Sequence, residues 1–383
     1  MSVYLDYNAT TPIDPRVLHT MIKVYQNDPG NADSRTHDFG EKSREVVENG
    51  RKQAANLLGV TPEEVFFTSG STEGNNIAIQ GLHDYSEKTG KKHIITTAIE
   101  HKAVLNTVKY MGKHGYDVEF IKPDESGRVS TGEILKRVRD DTLLVSVMHV
   151  NNETGIIQPV KEIGDFLKEK KVLFHIDATQ SCGKLVEEIR ELNYDMLTFS
   201  AHKFRGPQGI GGLVLRRKNY RLPPVTNVYF GGQQEHGIRP GTTPVALVAG
   251  LGKACEIADQ EYNNNHELNE EIKQTILNLL NDSEVPYTIN GDQNYCIDST
   301  INICFNGISS EALMISTKQY CAISNGSACT SKSYDPSYVL VAMGIPTDKI
   351  ESSVRISWGA GVEKDDVYKG FNKLLSTAKE LSL

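Results

Sequence analysis

The sequence has no long apolar run. None of its 383 residues falls in a stretch approaching the ~18 consecutive apolar residues of a membrane helix, so we expect no membrane span. The first six residues lack the basic start and apolar run of a signal peptide, and we therefore expect a cytoplasmic protein. A formal net charge of −8 disfavours direct binding to nucleic acid.

The cysteines form neither a metal-binding nor a disulfide pattern. The sequence contains no Cys-x-x-Cys pair and no tight cluster of zinc ligands, which argues against structural zinc and against a disulfide framework. Most scattered cysteines of this kind are small buried hydrophobes. Cys329 differs, because residues 324–333 around it are small and polar. Such a segment buries little and is expected to be mobile.

The chain also lacks internal repeats and long Pro/Gly/Ser linkers, yet its length favours two closely packed domains. Up to about residue 245, predicted strands alternate with helices, a pattern typical of a mostly parallel sheet covered on both faces. We predict strands at residues 65–68, 93–97, 117–121, 143–147, 172–176, 196–199 and 211–215. Beyond residue 245, a long helical stretch and short strands indicate a smaller α+β region.

We therefore assign residues 14–245 to a large α/β domain and residues 1–13 and 246–383 to a small α+β domain. The small domain carries the cysteine segment, at about residues 322–335.

Lys203 is the first candidate for chemistry. It follows the predicted strand 196–199 and precedes the glycine-rich residues 206–212. A lysine just past a buried strand end is costly unless it has a partner or a role, and a desolvated lysine can titrate low enough to form a Schiff base. A lysine before glycines is more often part of a surface turn, so both interpretations remain open for this motif alone.

Asp177 ends the strand that precedes the one leading to Lys203. Pyridoxal phosphate (PLP) enzymes need a carboxylate on the pyridinium nitrogen, because that keeps the ring protonated and able to accept electrons. Ligands of open α/β sheets lie at the carboxyl ends of the strands, where both residues are expected. The pairing favours a PLP site over two unrelated solvated residues.

Two helix starts add further candidates. Residues 68–73, Thr-Ser-Gly-Ser-Thr-Glu, join a strand to a helix, and hydroxyls with free amides at such a point suit a phosphate. The Walker pattern is missing, and ordinary helix capping by Ser69 or Ser71 is equally open. His101 opens another helix; it could stack on a cofactor ring and shuttle protons, although such a histidine is more often polar surface.

Together these motifs resemble the cysteine desulfurases, the NifS/IscS-like group of fold-type I PLP enzymes in the class-V aminotransferase family. The resemblance covers essentially the whole chain, from residues 4–12 to residues 354–357. The motifs between occur in family order, at residues 30–31, 69–73, 100–101, 151–155, 177–180, 200–203, 239–242 and 324–329.

The resemblance implies an α/β fold with a mostly parallel seven-stranded sheet in the large domain and a smaller α+β domain. It also implies PLP attached to Lys203. The remaining cofactor contacts would be Asp177 at the pyridine nitrogen, Gln180 at the ring hydroxyl, His101 stacked over the ring, and Ser71, Thr72, Ser200 and His202 at the phosphate. Asn152 would be a further cofactor contact. Thr242 would come from the second subunit of a homodimer. Asn152 and Arg355 would hold the substrate carboxylate, with Asn31 nearby.

The reaction implied by the resemblance converts L-cysteine to L-alanine and leaves a persulfide on Cys329, the nucleophile of an extended loop. Lys203 would move the Cα proton, and His101 would be the acid/base for the thiols. The sulfur would pass to an acceptor or scaffold protein, for iron–sulfur cluster assembly, tRNA thiolation or DNA phosphorothioation. An aminotransferase, a selenocysteine lyase and a catalytically inactive scaffold are the alternatives.

A few positions depart from the usual family pattern: Ala32, Asp33, Gln233, Gln234 and Pro240. None of them is a proposed catalytic residue. Asp33 would lie near the substrate entrance, so the departure bears on substrate or partner preference.

Overall fold

The structure, a computed structural model, describes residues 2–325 and 336–382. Its helices are α1 (Pro15–Asn27), α2 (Asp38–Leu58), α3 (Ser71–Gln80), α4 (His83–Thr89), α5 (Lys102–Lys113), α6 (Thr131–Arg137), α7 (Val160–Leu167), α8 (Val186–Glu191), α9 (Val245–Asp282), α10 (Ser310–Thr317), α11 (Tyr338–Ala342), α12 (Thr347–Glu351) and α13 (Lys364–Leu381). Its strands are β1 (Val3–Tyr4), β2 (Val65–Thr68), β3 (His93–Thr97), β4 (Asp117–Ile121), β5 (Thr142–Met148), β6 (Leu173–Asp177), β7 (Met196–Ser200), β8 (Gly211–Leu215), β9 (Tyr287–Ile289), β10 (Thr300–Phe305), β11 (Cys321–Ala322) and β12 (Ser353–Ser357).

A seven-stranded sheet with the order β2-β8-β7-β6-β5-β3-β4 forms the centre of the molecule. The pairs from β7 to β4 are parallel, and β8 is antiparallel to both of its neighbours. Strands β5 and β7 are buried along their whole length, as expected for a sheet with helices on both faces. The predicted mostly parallel seven-stranded sheet is confirmed, with strand bounds that differ from the prediction by no more than one residue.

Helix α2 begins earlier than the apolar spacing from residue 44 indicates. His37 caps the helix through Nδ1, which accepts a hydrogen bond from Gly40 N at 3.1 Å. Asp38 and Glu41 in the first turn complement the helix dipole. These capping residues are polar, so hydrophobic periodicity does not report them. The helix ends as predicted at Gly59, which adopts φ 65° as its C-cap.

The strand order brings several loop starts to one edge of the sheet. Asp177 at the end of β6 pairs in parallel with Thr198 of β7, so the residues that follow both strands emerge side by side. Strand β2 runs in the same direction as β7, because each is antiparallel to β8 between them. The turn from β2 into α3 therefore reaches the same edge.

A second apolar cluster forms around the antiparallel sheet β12-β10-β9 and the pair β1-β11. The N-terminal segment belongs to this cluster through Val3, Leu5 and Tyr7. Helix α9, with 38 residues, is about 57 Å long at 1.5 Å per residue. The first half of α9 packs into the apolar cluster beside the large sheet, and its second half packs into the cluster around β12-β10-β9.

Within residues 2–325 and 336–382, no helix combines the length and apolar character needed to cross a membrane.

Candidate active site

A cavity of about 500 Å³ opens at the edge of the large sheet where the strands end. Its volume lies in the range of small-molecule sites. The residues that line it are Asn8, Ala9, Ser69, Gly70, Ser71, Thr72, Glu73, His101, Met148, Val150, Asn152, Asp177, Thr179, Gln180, Ser200, His202, Lys203, Gln208, Gly209 and Arg355. Most of the predicted site residues are therefore brought together in one place.

Lys203 lies on a 3₁₀ turn, Ala201–Lys203, directly after β7. Its Nζ donates hydrogen bonds to the carbonyl oxygens of Asn8 at 2.7 Å and Ala9 at 2.8 Å. These acceptors offset the loss of water around a half-buried amine. The lysine belongs to the cavity and is not part of a surface turn.

Asp177 is buried and firmly oriented at the end of β6. Its Oδ2 accepts from Asn75 Nδ2 at 2.8 Å, and its Oδ1 accepts from Thr179 N at 3.0 Å and from the Thr179 hydroxyl. Asn75 is held in turn by Thr198, whose hydroxyl donates to Asn75 Oδ1 at 2.5 Å. The carboxylate therefore has a fixed position on the floor of the cavity.

The start of α3 forms the end of the cavity that is suited to binding a phosphate. Gly70 is the N-cap, at φ 149°, and contributes no side-chain hydrogen bond. Capping of α3 by the Ser69 or Ser71 side chain, the alternative interpretation of this motif, is therefore not what the structure shows. Ser71 N donates to Ser200 Oγ at 3.2 Å. Hydroxyls at a helix N-terminus, with its positive dipole end, are suited to a phosphate.

Two histidines line the cavity in the neutral state. Burial lowers the pKa of His101, and the nearby Lys203 lowers it further. Burial, together with Lys203, lowers the pKa of His202 to about 4. His101 Nδ1 accepts from Ala103 N at 3.2 Å, so the proton of the neutral ring is assigned to Nε2.

Arg355, on β12, forms the other end of the cavity and is 3% exposed. Its Nη1 donates to the Asn152 carbonyl oxygen at 3.0 Å, and its Nη2 donates to Asp6 Oδ1 at 2.6 Å. Among the described residues, Arg355 Nε and Asn152 Oδ1 are buried without a hydrogen-bond partner. Unsatisfied buried polar atoms are costly, and a ligand with a carboxylate and an amino group would satisfy this pair.

Other predicted site residues occupy varied positions. Gln180 lines the cavity, and its Nε2 donates to the Asn8 carbonyl at 3.0 Å. Thr72 lies at the mouth, exposed. Asn31 and Thr242 are exposed and are not among the residues that line this cavity. Cys329 lies outside the described residues.

Several supporting residues of the cavity are not among the predicted site residues. Asn75 lies one helical turn after Ser71, on the same face of α3, and this spacing could have identified it. Thr179 follows Asp177 by two residues, a short-range pattern typical of side-chain to backbone bonds. Thr10 lies 3.1 Å from His202 Nδ1 through its hydroxyl, and no local pattern predicts that contact.

The residues of the cavity fit pyridoxal phosphate. The start of α3 suits the phosphate, Lys203 suits the aldehyde, and Asp177 suits the ring nitrogen. The unpartnered Arg355 Nε and Asn152 Oδ1 suit an amino-acid substrate. In the part of the chain that the structure describes, no three His, Cys, Asp or Glu side chains group to hold a metal ion.

Comparison with known proteins agrees with this geometry. The family model for aminotransferase class-V matches residues 3–369. A cysteine desulfurase IscS from Glaesserella parasuis serovar 5 is 42% identical over 100% of this chain and 95% of its own length. A solved "NifS-like protein" superposes with a TM-score of 0.91 at 34% identity, covering 100% of both chains. A second solved structure, "SspA in complex with cysteine", has a TM-score of 0.81 at 34% identity and covers 93% of this chain and 98% of its own.

The fold and the family match define a PLP-dependent enzyme of fold type I. The chain belongs to the class-V aminotransferase family and, within it, to the IscS- and NifS-like group. The resemblance inferred from the motifs is thus confirmed.

Proposed function

We propose that the protein is a PLP-dependent cysteine desulfurase, which converts L-cysteine to L-alanine and holds the sulfur as a persulfide on Cys329. One observation carries the proposal: a single cavity brings Lys203 and Asp177 together with Arg355 and Asn152, whose Nε and Oδ1 atoms are buried without a hydrogen-bond partner. The relative named above as a cysteine desulfurase supports this choice over other class-V chemistries.

The cofactor would be held by residues that are already in position. Lys203 would bind it covalently, Asp177 would contact its ring nitrogen, and the start of α3 with Ser200 and His202 would contact its phosphate. When bound, pyridoxal phosphate supplies an electron sink for the bonding electrons of the substrate Cα–H bond.

The protein's own groups would orient the substrate and move its protons. The Arg355 guanidinium matches a carboxylate in a forked geometry and would fix the amino acid relative to Lys203. Lys203 Nζ would take the Cα proton and return it. His101, neutral because of its lowered pKa, would exchange a proton with the substrate thiol at Nε2.

The thiolate of Cys329 would attack the substrate sulfur, forming the S–S bond as the Cβ–S bond breaks, and alanine would leave. The cysteines that the structure describes are poor candidates for this role. Burial raises the pKa of Cys296 to about 11 and of Cys321 to about 12, and it raises the pKa of Cys182, Cys255 and Cys304. These groups remain protonated thiols near neutral pH.

The wider setting is also proposed. A homodimer would bring Thr242 of a second subunit to the phosphate, in keeping with its exposed position outside the cavity of its own chain.

We propose a cytoplasmic protein with a large domain at residues 14–245 and a small domain at residues 1–13 and 246–383. It would transfer its sulfur to an acceptor or scaffold protein. Iron–sulfur cluster assembly is the first destination to test, with tRNA thiolation and DNA phosphorothioation as others.

The test is alanine and sulfide release from L-cysteine with a reductant, for the wild type, Cys329→Ser and the matched buried variant Cys321→Ser. We expect equal amounts of both products from the wild type and Cys321→Ser, and neither from Cys329→Ser, which keeps the cofactor absorbance band. Wild-type activity in Cys329→Ser would contradict the role of this cysteine and favour a lyase. 3-Mercaptopyruvate in place of alanine would indicate transamination.

A further inference from the structure

Asn8 lies in the N-terminal segment between β1 and α1 and is 3% exposed. Its main-chain oxygen accepts two hydrogen bonds from the cofactor end of the cavity. Lys203 Nζ donates one at 2.7 Å and Gln180 Nε2 donates the other at 3.0 Å. One carbonyl group therefore fixes both the lysine and the glutamine.

The Asn8 side chain points to the substrate end. Its Nδ2 donates to the Asn152 carbonyl oxygen at 3.2 Å and to Thr300 Oγ1 at 3.0 Å. The same Asn152 oxygen accepts from Arg355 Nη1 at 3.0 Å. The position of the arginine fork therefore depends on a carbonyl group that Asn8 helps to hold.

We propose that Asn8 is a positioning residue that couples the two ends of the cavity. Its main chain sets where Lys203 and Gln180 lie, and its side chain sets where Asn152, and through it Arg355, lie. The substrate half of this inference rests on the proposed function, whereas the cofactor half does not.

Side-chain chemistry explains why asparagine suits this position. Both amide hydrogens are used, on Asn152 and Thr300, and Asn8 Oδ1 lies 3.3 Å from the Thr300 hydroxyl. The Asn8 main-chain N–H donates to Ser357 Oγ at 2.9 Å. Alanine would keep the main-chain bonds but release the side-chain anchor that fixes their direction. Aspartate would keep the size but place an acceptor oxygen against the Asn152 carbonyl.

Asn8→Ala should therefore weaken the binding of both pyridoxal phosphate and L-cysteine. In the cofactor-free enzyme, Lys203 is oriented by the carbonyls of Asn8 and Ala9, so a shifted Asn8 presents the amine less well to pyridoxal phosphate. We expect the Kd for pyridoxal phosphate and the KM for L-cysteine each to rise about three- to tenfold, the worth of one or two buried hydrogen bonds. The kcat should change less than the KM.

Asn290→Ala is the matched control. Asn290 is also 3% exposed, and its Nδ2 also donates two hydrogen bonds, to Asn302 Oδ1 at 2.7 Å and Ser353 Oγ at 2.9 Å. It does not line the cavity. Loss of a buried asparagine should lower the Tm of Asn8→Ala and Asn290→Ala similarly. In Asn290→Ala the Kd for pyridoxal phosphate and the KM for L-cysteine should stay unchanged.

The experiment measures Kd for pyridoxal phosphate on the cofactor-free proteins by absorbance, then the pH titration of the cofactor band, KM, kcat and Tm. Asn8→Asp, which preserves side-chain size, serves as the second variant if Asn8→Ala does not fold, and its KM should rise at least as much. The inference is supported if the Asn8 variant raises both constants relative to Asn290→Ala, and overturned if either stays at the control value. Failure of the proposed function would look different: the wild type itself would not turn over L-cysteine, and the Kd comparison would then decide the inference.

Discussion

The two ends of the cavity are assembled in different ways. At the proposed cofactor end, Asp177 and Ser200 end neighbouring strands of one sheet, Lys203 lies on the turn after the second of them, and Asn75 lies in the helix that follows a third strand. At the substrate end, Arg355 meets Asp6 and Asn152, which are far from it in sequence. The first end is built by the regular geometry of a parallel sheet, and the second depends on how distant segments pack.

Because the two ends are built differently, we expect substitutions at each end to change different properties of the enzyme. Buried hydrogen bonds support the cofactor end from within one cluster: Asn75 holds Asp177, and Thr198 holds Asn75. The substrate end depends on the N-terminal segment, where Asp6 forms a bridge with Ser357 beside Arg355. Changes at the cofactor end should act on kcat and the cofactor spectrum, whereas changes at the substrate end should act on the KM.

The largest effect is expected from Lys203→Ala. The variant should lose the covalent cofactor band, and its kcat should fall by roughly 10³-fold, because it lacks the group that moves the Cα proton. Absorbance spectra and alanine release measure both. Lys91→Ala is the matched control, since Lys91 Nζ also donates to two main-chain carbonyls, those of Thr142 and Lys171, away from the cavity. Equal losses in both variants would contradict the assignment.

Asp177→Asn should have the next largest effect. The exchange keeps the shape but removes the negative charge proposed for the ring nitrogen, so kcat should fall by roughly 10²-fold with a shifted cofactor band. Asp195→Asn tests a buried aspartate at the opposite, amino-terminal side of the same strands, where it accepts from Phe174 N at 2.8 Å. A normal cofactor band and kcat in Asp177→Asn would show that the cofactor end is built differently.

Arg355→Lys tests the substrate end. Lysine keeps the charge but not the planar fork, so the KM for L-cysteine should rise roughly 10- to 50-fold with little change in the cofactor band. Arg51→Lys is the control, because Arg51 also binds a main-chain carbonyl, that of Val65, and carboxylates, those of Glu235 and Glu48, away from the cavity. A fall in kcat at unchanged KM would remove the distinction between the two ends.

The smallest effect on catalysis is expected from Glu100→Gln. Glu100 is fully buried, accepts from Met148 N at 2.9 Å, and adjoins His101, but it does not line the cavity. Burial raises its pKa to about 8, so it is mostly neutral at pH 7 and glutamine should replace it with little change in kcat.

The raised pKa of Glu100 should make the unfolding free energy of the protein depend on pH. A carboxyl group with a raised pKa in the folded state stabilises the fold at low pH, and this contribution is lost as the pH rises from its ordinary pKa through the folded value. Between pH 5 and pH 8 the wild type should lose about 3 kcal/mol of unfolding free energy relative to Glu100→Gln. Denaturant titrations at both pH values measure this, and parallel curves for the two proteins would contradict it.

The sequence predicts that Lys203, Asp177 and the start of α3 meet at one edge of the sheet, because the signals for these residues are local. Strand ends, Lys203 before glycines and the Ser-Gly-Ser-Thr turn all follow from short patterns, and parallel pairing places them together. Asn8 shows the limit: its role comes from a carbonyl group shared by Lys203 and Gln180, and backbone acceptors have no residue-type signal. Arg355 was found only through family resemblance, because its contacts bridge segments that no local pattern connects.

The most direct test of the proposed reaction locates the sulfur. The wild type is incubated with L-cysteine without reductant, and its peptides are mapped by mass spectrometry beside those of Lys203→Ala. We expect one additional sulfur atom on the peptide that contains Cys329 in the wild type, none on the peptides of the buried cysteines, and none anywhere in Lys203→Ala. An additional sulfur on another cysteine, or alanine formed with no persulfide on Cys329, would contradict it.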